Sequence, residues 1–242
     1  MIIHEKRLEA GILPQNPHMA VLRRVSIFSD LDDVALLGLL RQMTIKRWHG
    51  GAIIVGQQEP GEALFVQVSG RSKVVLFGEN GREMTLSVIE PGGFFGEMSL
   101  FDGKPRSANV VALEDSVLLV LERTAFRAHL ETSPHTALKL LEEMAERLRR
   151  ADEIINNLAL HDVPSRLVRT LVTLAQSGGE NREDGILIRR RPTQQDLANM
   201  VGTCRETVSR ALTSMARRGL VVQRGRALLL SRALLESWRQ AA

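Results

Sequence analysis

The sequence has very little cysteine and no long apolar run. Its 242 residues include one cysteine, Cys204. A single cysteine excludes a disulfide within the chain, and it excludes an iron–sulfur cluster held by the cysteines of one chain. The longest apolar runs fall far below the ~20 residues that a membrane-spanning helix needs. The first residues lack the layout of a signal peptide, so we expect a cytoplasmic protein without a membrane partner.

Lysine is absent from the last third of the chain, which is nevertheless strongly basic. Residues 164–242 contain 14 arginines and 6 acidic residues, a net charge of +8, whereas residues 1–163 contain 18 basic and 22 acidic residues, a net charge of −4. The length suits two domains, each able to bury a core. A small basic domain behind an acidic one indicates a nucleic-acid-binding module joined to something else. A solvated arginine-rich face is the alternative.

Residues 45–121 consist of short apolar runs separated by turns that contain glycine, among them Asn80–Gly81. This regular spacing predicts a compact antiparallel barrel or jelly roll, because glycine supplies the positive φ angles of tight turns. Before this region, residues 1–17 predict a loose arm. Asp30 or Asp32 is a candidate cap for a helix that ends near Met43.

Residues 133–161 predict one long helix, because Pro134 can occupy the opening turn and nothing after it breaks a helix. Apolar residues at three-four spacing form a narrow seam between charged flanks, as in a parallel two-stranded coiled coil. We therefore expect a homodimer, although a helix packed on its own domain is an alternative. The predicted dimer-interface residues are Leu141, Met144, Leu148, Ala151, Ile155 and Leu158.

One segment of the barrel region, FGEMSLFDGKPRSA at residues 95–108, has helical rather than strand character at its centre. Gly96 opens a turn whose backbone N–H groups suit an anion. Arg106 is a rigid cationic fork for a phosphate, and Ser107 can donate to the same group or bond to a base. Glu97 is an acceptor suited to a ribose hydroxyl. A loop salt bridge between Glu97 and Arg106 is the alternative.

The basic region predicts a helix-turn-helix. A hinge near Pro164 precedes a helix over residues 165–176, a polar surface loop over residues 177–185 and a short strand. Thr193 is a candidate N-cap with Asp196 as its acidic complement, and Gly202 makes the turn. The second helix turns Val208, Leu212 and Met215 inward. A hairpin with Arg224, Gly225 and Arg226 at its tip and a final helix complete the chain.

The exposed face of the second helix carries side chains that can contact base edges. Arginine forks fit guanine, and glutamate accepts from cytosine. A solvated charged face is the alternative. The candidate base-reading residues are Arg205, Glu206, Thr207, Ser209 and Arg210.

Two of these motifs resemble known ones. Residues 95–108 closely resemble the phosphate-binding cassette of cyclic-nucleotide-binding domains, and RETVSR resembles the recognition helix of the catabolite-activator branch of the Crp/Fnr regulators. The resemblance covers about nine-tenths of the chain. It implies an α+β fold with an N-terminal arm (1–19), an antiparallel β-roll (20–132), a dimerisation helix (133–161) and a winged helix-turn-helix (162–242).

The resemblance also implies roles for individual residues in the ligand site. Gly96 and Met98 offer backbone contacts, Glu97 takes the ribose 2′-hydroxyl, and Arg106 with Ser107 takes the cyclic phosphate. Ala151 and Asp152 stand where relatives that bind cyclic AMP have a Thr-Ser pair for adenine. Cyclic AMP is the expected ligand. The alternatives are cyclic GMP, a cyclic dinucleotide or an empty pocket, and no metal is expected.

On DNA, the resemblance implies that Arg205, Glu206 and Arg210 read a TGTGA half-site, and that Thr193, Arg224 and Arg226 contact the backbone. We therefore expect a bacterial DNA-binding regulator with double-stranded DNA, a second copy of itself and RNA polymerase as partners. The rival is a regulatory subunit of a cyclic-nucleotide-dependent enzyme. No catalytic constellation supports that rival, so a non-enzyme is expected.

Overall fold

The computed structural model describes residues 2–7, 17–79 and 81–241, and side chains are described for residues 17–79 and 81–239. The chain divides into two units, residues 1–76 with 85–151 and residues 77–84 with 152–242. None of the helices in the described ranges is long and apolar enough to cross a membrane.

The first unit contains an antiparallel β-roll, as predicted. One sheet has the strand order β1-β2-β9-β4-β7, and a second has the order β3-β8-β5-β6. The strands are β1 Ile2–Arg7, β2 Met43–Trp48, β3 Ile53–Val55, β4 Ala63–Ser69, β5 Ser72–Phe77, β6 Glu83–Ile89, β7 Phe94–Phe95, β8 Asn109–Ala112 and β9 Ser116–Glu122.

The centre of the first sheet is buried on both faces. Five consecutive residues at the start of β4 are buried, because an aromatic cluster covers one face and helices cover the other. On the first face, Phe65 stacks on Phe95 at 5.0 Å between ring centroids. On the other face, Phe28 and Phe126 are fully buried. This two-sided burial explains the nearly continuous apolar run of the strand.

The helices of this unit pack on that sheet, and the fifth extends beyond it. They are α1 Pro17–Leu22, α2 Asp33–Leu40, α3 Met98–Asp102, α4 Arg123–Thr132 and α5 Pro134–Leu160. Asp32 caps α2, since its carboxylate accepts from the Ala35 N–H at 2.8 Å. The long predicted helix is confirmed, and Pro134 is its first residue.

Two details of the β-roll concern its edge and one of its turns. The predicted loose arm is wrong for residues 2–7, because they form β1 and pair antiparallel with β2. An edge strand pairs through its backbone, so its side-chain pattern need not show it. Residues 8–16 of the arm lie outside the described residues. Gly81 has a φ of +73°, as a tight hairpin turn requires, and Asn80 beside it is not described.

The second unit is a winged helix-turn-helix, as predicted. Its elements are α6 Val163–Gly178, β10 Glu180–Arg182, β11 Gly185–Ile188, α7 Gln194–Val201, α8 Arg205–Arg217, β12 Val221–Arg224, β13 Ala227–Ser231 and α9 Arg232–Ala241. The four strands form one sheet in the order β10-β11-β13-β12. Leu167, Leu212 and Leu230 are fully buried in its core.

Two sequence expectations change in this unit. The polar loop predicted over residues 177–185 contains β10, which pairs with β11 into a hairpin. At the hinge, Val163 is already helical, although a following proline disfavours that conformation. Asp162 compensates as the N-cap of α6, because its carboxylate accepts from the Ser165 N–H at 3.0 Å.

Candidate functional site

Arg106 is a buried cation held by backbone carbonyl groups. Its side chain is almost fully buried, with a residue exposure of 6%. One terminal nitrogen donates to the Gly96 carbonyl, and the other donates to the Ala63 carbonyl at 2.8 Å. Burial lowers the pKa of Arg106, while the charge of Glu97 raises it. A desolvated guanidinium that is bound to neutral carbonyls is poised for an anion, which would compensate its charge.

Glu97 is buried beside this cation, but its ion-pair partner is a residue that the sequence interpretation missed. Its Oε1 accepts from Arg147 of α5 at 3.0 Å. The alternative interpretation, a loop salt bridge between Glu97 and Arg106, is therefore replaced by an ion pair between the cassette and α5. Its Oε2 is buried and accepts no hydrogen bond from the described residues. One carboxylate oxygen is therefore available to a ligand hydroxyl.

Arg147 is fixed on three sides. Besides Glu97, it donates to the Phe94 carbonyl at 2.8 Å and to Glu143 at 3.1 Å, and its guanidinium lies 4.5 Å from the centroid of the Phe94 ring. Nothing in the sequence marks this arginine among the charged flanks of α5, because its partner is fifty positions away.

The cassette residues are brought together around Gly96. Gly96 has a φ of +90°, and a Cβ atom there would lie 2.6 Å from a terminal nitrogen of Arg106. Only glycine fits this close approach. Met98 begins α3, and its sulfur lies 3.8 Å from the Ser107 hydroxyl. Five predicted ligand residues, 96–98 and 106–107, thus share one site.

The two positions predicted to contact the base of the nucleotide ligand are exposed on α5. Ala151 and Asp152 follow two arginines that pair elsewhere. Arg149 contacts Glu146 at 3.6 Å, and Arg150 contacts Glu143 at 3.1 Å. The alternative to a contact with the base is a surface ion pair between Asp152 and one of these two arginines, and both arginines pair with other residues instead. Its role toward a base stays a prediction.

The apolar seam of α5 is largely uncovered in the single chain. Met144 packs against the core of the β-roll, in the manner of the alternative interpretation. The remaining seam residues are exposed, and the four large ones are Leu141 at 65%, Leu148 at 64%, Ile155 at 63% and Leu158 at 40%. A run of exposed leucine and isoleucine along one helix face marks an interaction surface.

In the second unit, the helix-turn-helix begins with a complete capping box. The Thr193 hydroxyl accepts from the Asp196 N–H at 3.1 Å, and the Asp196 carboxylate accepts from the Thr193 N–H at 3.0 Å. Gly202 ends α7 with a φ of +72°. These local signals confirm the predicted cap and turn, and they fix where α8 starts.

Helix α8 buries one face and exposes the other, as predicted. Val208, Leu212 and Met215 are buried. On the other face, Arg205, Glu206 and Arg210 are exposed, and Thr207 and Ser209 are partly exposed. Hydrogen bonds with its own backbone N–H and with the Cys204 thiol, together with nearby arginines, lower the pKa of Glu206. Glu206 is therefore ionised at neutral pH and acts as an acceptor.

The wing and the start of α7 share a groove with the recognition helix. This groove has a volume of about 410 Å³ and is lined by Arg191, Thr193, Gln194, Gln195, Arg205 and Arg226, among others. Arg191 is a further residue missed from the sequence. Its backbone N–H donates to the Arg226 carbonyl at 3.0 Å, which ties the segment before α7 to the wing. Arg224 at the wing tip is exposed.

In the described ranges, no group of three or more His, Cys, Asp or Glu side chains could hold a metal ion.

Comparison with known proteins matches both units. The family model of the cyclic nucleotide-binding domain matches residues 45–133, and that of the Crp-like helix-turn-helix domain matches residues 165–238. The chain is 31% identical over 211 residues to the CRP-like cAMP-activated global transcriptional regulator of Mycobacterium tuberculosis, covering 87% of this chain and 94% of the relative. It is 32% identical over 200 residues to the cAMP-activated global transcriptional regulator CRP of Salmonella typhimurium, with coverages of 82% and 94%.

Among solved structures, the c-di-GMP-responsive global regulator CLP of Xanthomonas campestris has the same fold. The TM-score is 0.73 at 24% identity, over 83% of this chain and 99% of that chain. All three of these proteins are named as global regulators.

Proposed function

Because the chain belongs to the Crp family of transcriptional regulators, we propose that it is a homodimer that binds a cyclic nucleotide and a palindromic DNA site. The observation that supports ligand binding is that two buried polar groups of the cassette have no full set of partners. Arg106 is a buried cation bound to carbonyls, and the Oε2 atom of Glu97 is a buried acceptor without a donor. A cyclic phosphate and a ribose 2′-hydroxyl supply what each group lacks.

Calorimetric titration with cyclic AMP, cyclic GMP and cyclic di-GMP tests this proposal. We expect one of the two cyclic mononucleotides to bind at one site per chain, with cyclic AMP first because two relatives are cAMP-activated. Binding of cyclic di-GMP alone would move the ligand to the class named for the Xanthomonas regulator. No binding of any of the three would contradict the proposal.

We propose that Asp152 contacts the base, because by resemblance Ala151 and Asp152 stand where relatives that bind cyclic AMP have a Thr-Ser pair. In a parallel dimer Asp152 can reach over the partner's pocket. An ionised carboxylate accepts one hydrogen from the adenine amino group, or two from the N1–H and N2–H edge of guanine. If Asp152 reads the base, Asp152→Ser shifts the affinity ratio of cyclic AMP to cyclic GMP toward adenine, and Asp152→Ala weakens the preferred nucleotide. Equal ratios in all three proteins would show that Asp152 does not contact the base.

The exposed seam of α5 supports a dimer of two copies packed along Leu141, Leu148 and Ile155. Two-fold symmetry then presents two recognition helices to half-sites about one helical turn apart, roughly 10–10.5 bp from centre to centre. We expect TGTGA-like half-sites. The ligand would change how the two copies of α5 pack and thereby re-aim the recognition helices. Footprinting on a palindrome, with spacing variants as controls, checks this geometry.

The proposal places the protein in the cytoplasm with RNA polymerase as a further partner. By its resemblance to the family, the segment of residues 177–184, which contains β10, is our candidate for the contact with the polymerase. Co-purification with the polymerase on promoter DNA, compared with polymerase on the same DNA without this protein, tests that contact.

A further inference from the structure

The segment Gln58–Ala63, here called the bracket, holds Arg106 through backbone as well as side chain. The Arg106 N–H donates to the Glu59 carbonyl at 2.9 Å, and the Arg106 carbonyl accepts from the Gln58 N–H at 2.9 Å. Ala63 at the end of the bracket accepts from the guanidinium. The position of the candidate phosphate-binding cation therefore depends on where the bracket lies.

The bracket does not hold its shape by local preference alone. Gln58 has a φ of +67°, the one positive φ of a non-glycine residue in the part of the chain that the structure describes. A side chain disfavours this conformation, so surrounding contacts have to impose it. Strained backbone of this kind is often found where a binding site needs a fixed geometry.

Arg123, the first residue of α4, supplies such contacts. One of its terminal nitrogens donates to the Gly61 carbonyl at 2.6 Å and to the Ser99 carbonyl at 3.0 Å. Its backbone N–H donates to the Glu62 carbonyl at 2.7 Å, and its Nε lies 3.3 Å from the Glu62 carboxylate. Arg123 thus ties the bracket to α3, the helix of the cassette.

The contact between the bracket and α3 is tightly packed. A Cβ atom on Gly61 would lie 2.3 Å from the Ser99 Cβ and 2.9 Å from the Arg106 Nε. A shift of the bracket relative to α3 would therefore displace the Arg106 side chain. The charge of Arg123 also reaches the site, since it lowers the pKa of Arg106.

We propose that Arg123 is a positioning residue for nucleotide binding, which aims the Arg106 guanidinium at the cyclic phosphate and adds positive potential there without touching the ligand. This inference rests on the proposed function. One of its terminal nitrogens donates to two backbone carbonyls and its Nε lies beside the Glu62 carboxylate, so we assign its effect on the ligand to Arg106 and the bracket.

The test measures the affinity of the nucleotide that the wild-type protein prefers and of its 2′-deoxy analogue. Arg123→Met is expected to weaken binding roughly tenfold, the weight of one charge-assisted hydrogen bond. Arg71→Met is the matched control, because Arg71 pairs with Glu114 at 3.0 Å on the surface of the same unit. It should leave the affinity unchanged.

Two further readouts separate positioning from a general loss of structure. The affinity ratio of the nucleotide to its 2′-deoxy analogue should be the same in Arg123→Met and wild type, because the Glu97 contact to the ribose is not involved. In an Arg106→Lys background, Arg123→Met should cost clearly less than it does alone, because the two residues act together on the phosphate.

Several outcomes overturn the inference. It fails if Arg123→Met binds as tightly as Arg71→Met, or if its effect is undiminished in the Arg106→Lys background. If Arg123→Met does not fold, Arg123→Lys decides. Lysine keeps the charge, but it holds that charge on a flexible stem and lacks the Nε group that lies beside the Glu62 carboxylate. Severalfold weaker binding is therefore expected, and wild-type affinity overturns the inference. A wild-type protein that binds no nucleotide overturns the proposed function, and this inference with it.

Discussion

Arginine stands in opposite settings in the two units. In the first, Arg106 is buried and its donors are bound to backbone carbonyls. In the second, Arg205, Arg210 and Arg224 are exposed on a helix and a wing. A desolvated cation can fix one small anion in one geometry, whereas hydrated cations attract a polyanion by releasing its counterions. Substituting the buried arginine of the first unit should therefore abolish nucleotide binding, whereas substituting one exposed arginine of the second should only weaken DNA binding.

The largest expected effect is at the buried site. Arg106→Leu should abolish nucleotide binding and leave a folded dimer, because it removes the buried cation that faces the phosphate. Arg106→Lys should rescue binding poorly, since an ammonium cannot reproduce the fork. Calorimetry measures the binding, and thermal melting with sedimentation controls for fold and dimer. Normal nucleotide affinity in Arg106→Leu would show that the cassette is not the ligand site.

The next effect concerns base contacts in the second unit. Arg205→Ala and Arg210→Ala should each weaken binding to the preferred DNA by about 1–3 kcal/mol and relax the preference at one guanine per half-site. Fluorescence anisotropy with duplexes substituted at single positions measures both quantities. If Arg205→Ala changed neither affinity nor preference, α8 would not be the recognition helix.

A smaller and more uniform effect is expected at the wing. Arg224→Ala should weaken binding evenly across DNA sequences and reduce the salt slope by about 1, because a phosphate contact carries no sequence information. The same anisotropy titrations at several salt concentrations measure the slope. An Arg224→Ala protein with altered base preference would contradict the assignment of the wing to the backbone.

The smallest expected effect is on the pH dependence of stability, and it comes from a buried histidine in the first unit. His129 lies edge-on to Phe28 and its Nε2 is 3.0 Å from the Thr136 hydroxyl. Burial lowers the pKa of His129, so the unfolded chain takes up a proton before the folded protein does. The stability gained from burying neutral His129 is complete above the ordinary histidine pKa of about 6.5, and it declines as the pH falls below that value.

Denaturant melts between neutral and mildly acidic pH, for wild type and His129→Asn, measure this slope. The variant should have a shallower decline. Some slope should remain, because burial and the charge of Arg47 lower the pKa of His18 in the same direction. An unchanged slope in His129→Asn would contradict the assignment.

Most of the helix-turn-helix could be predicted, because residues close to each helix end mark its boundaries. Thr193 with Asp196 and the left-handed Gly202 mark the ends of α7 within a few residues. The cassette could be recognised from one continuous string. Arg147 and Arg123 could not, because their partners are about 20 to 60 positions away and only the fold brings them together. The edge strands β1 and β10 were not predicted, because strands pair through the backbone and the side-chain pattern need not show it.

The DNA-binding surface draws its positive charge from guanidinium groups, because residues 140–242 contain no lysine. A guanidinium stays charged at any pH at which the protein is folded. Enzymes that acetylate lysine amines therefore find no side chain to neutralise on the recognition helix or the wing. We expect the affinity for DNA to respond to ionic strength and to the nucleotide, while alkaline pH and acetylation of the protein leave the charge of its arginines unchanged.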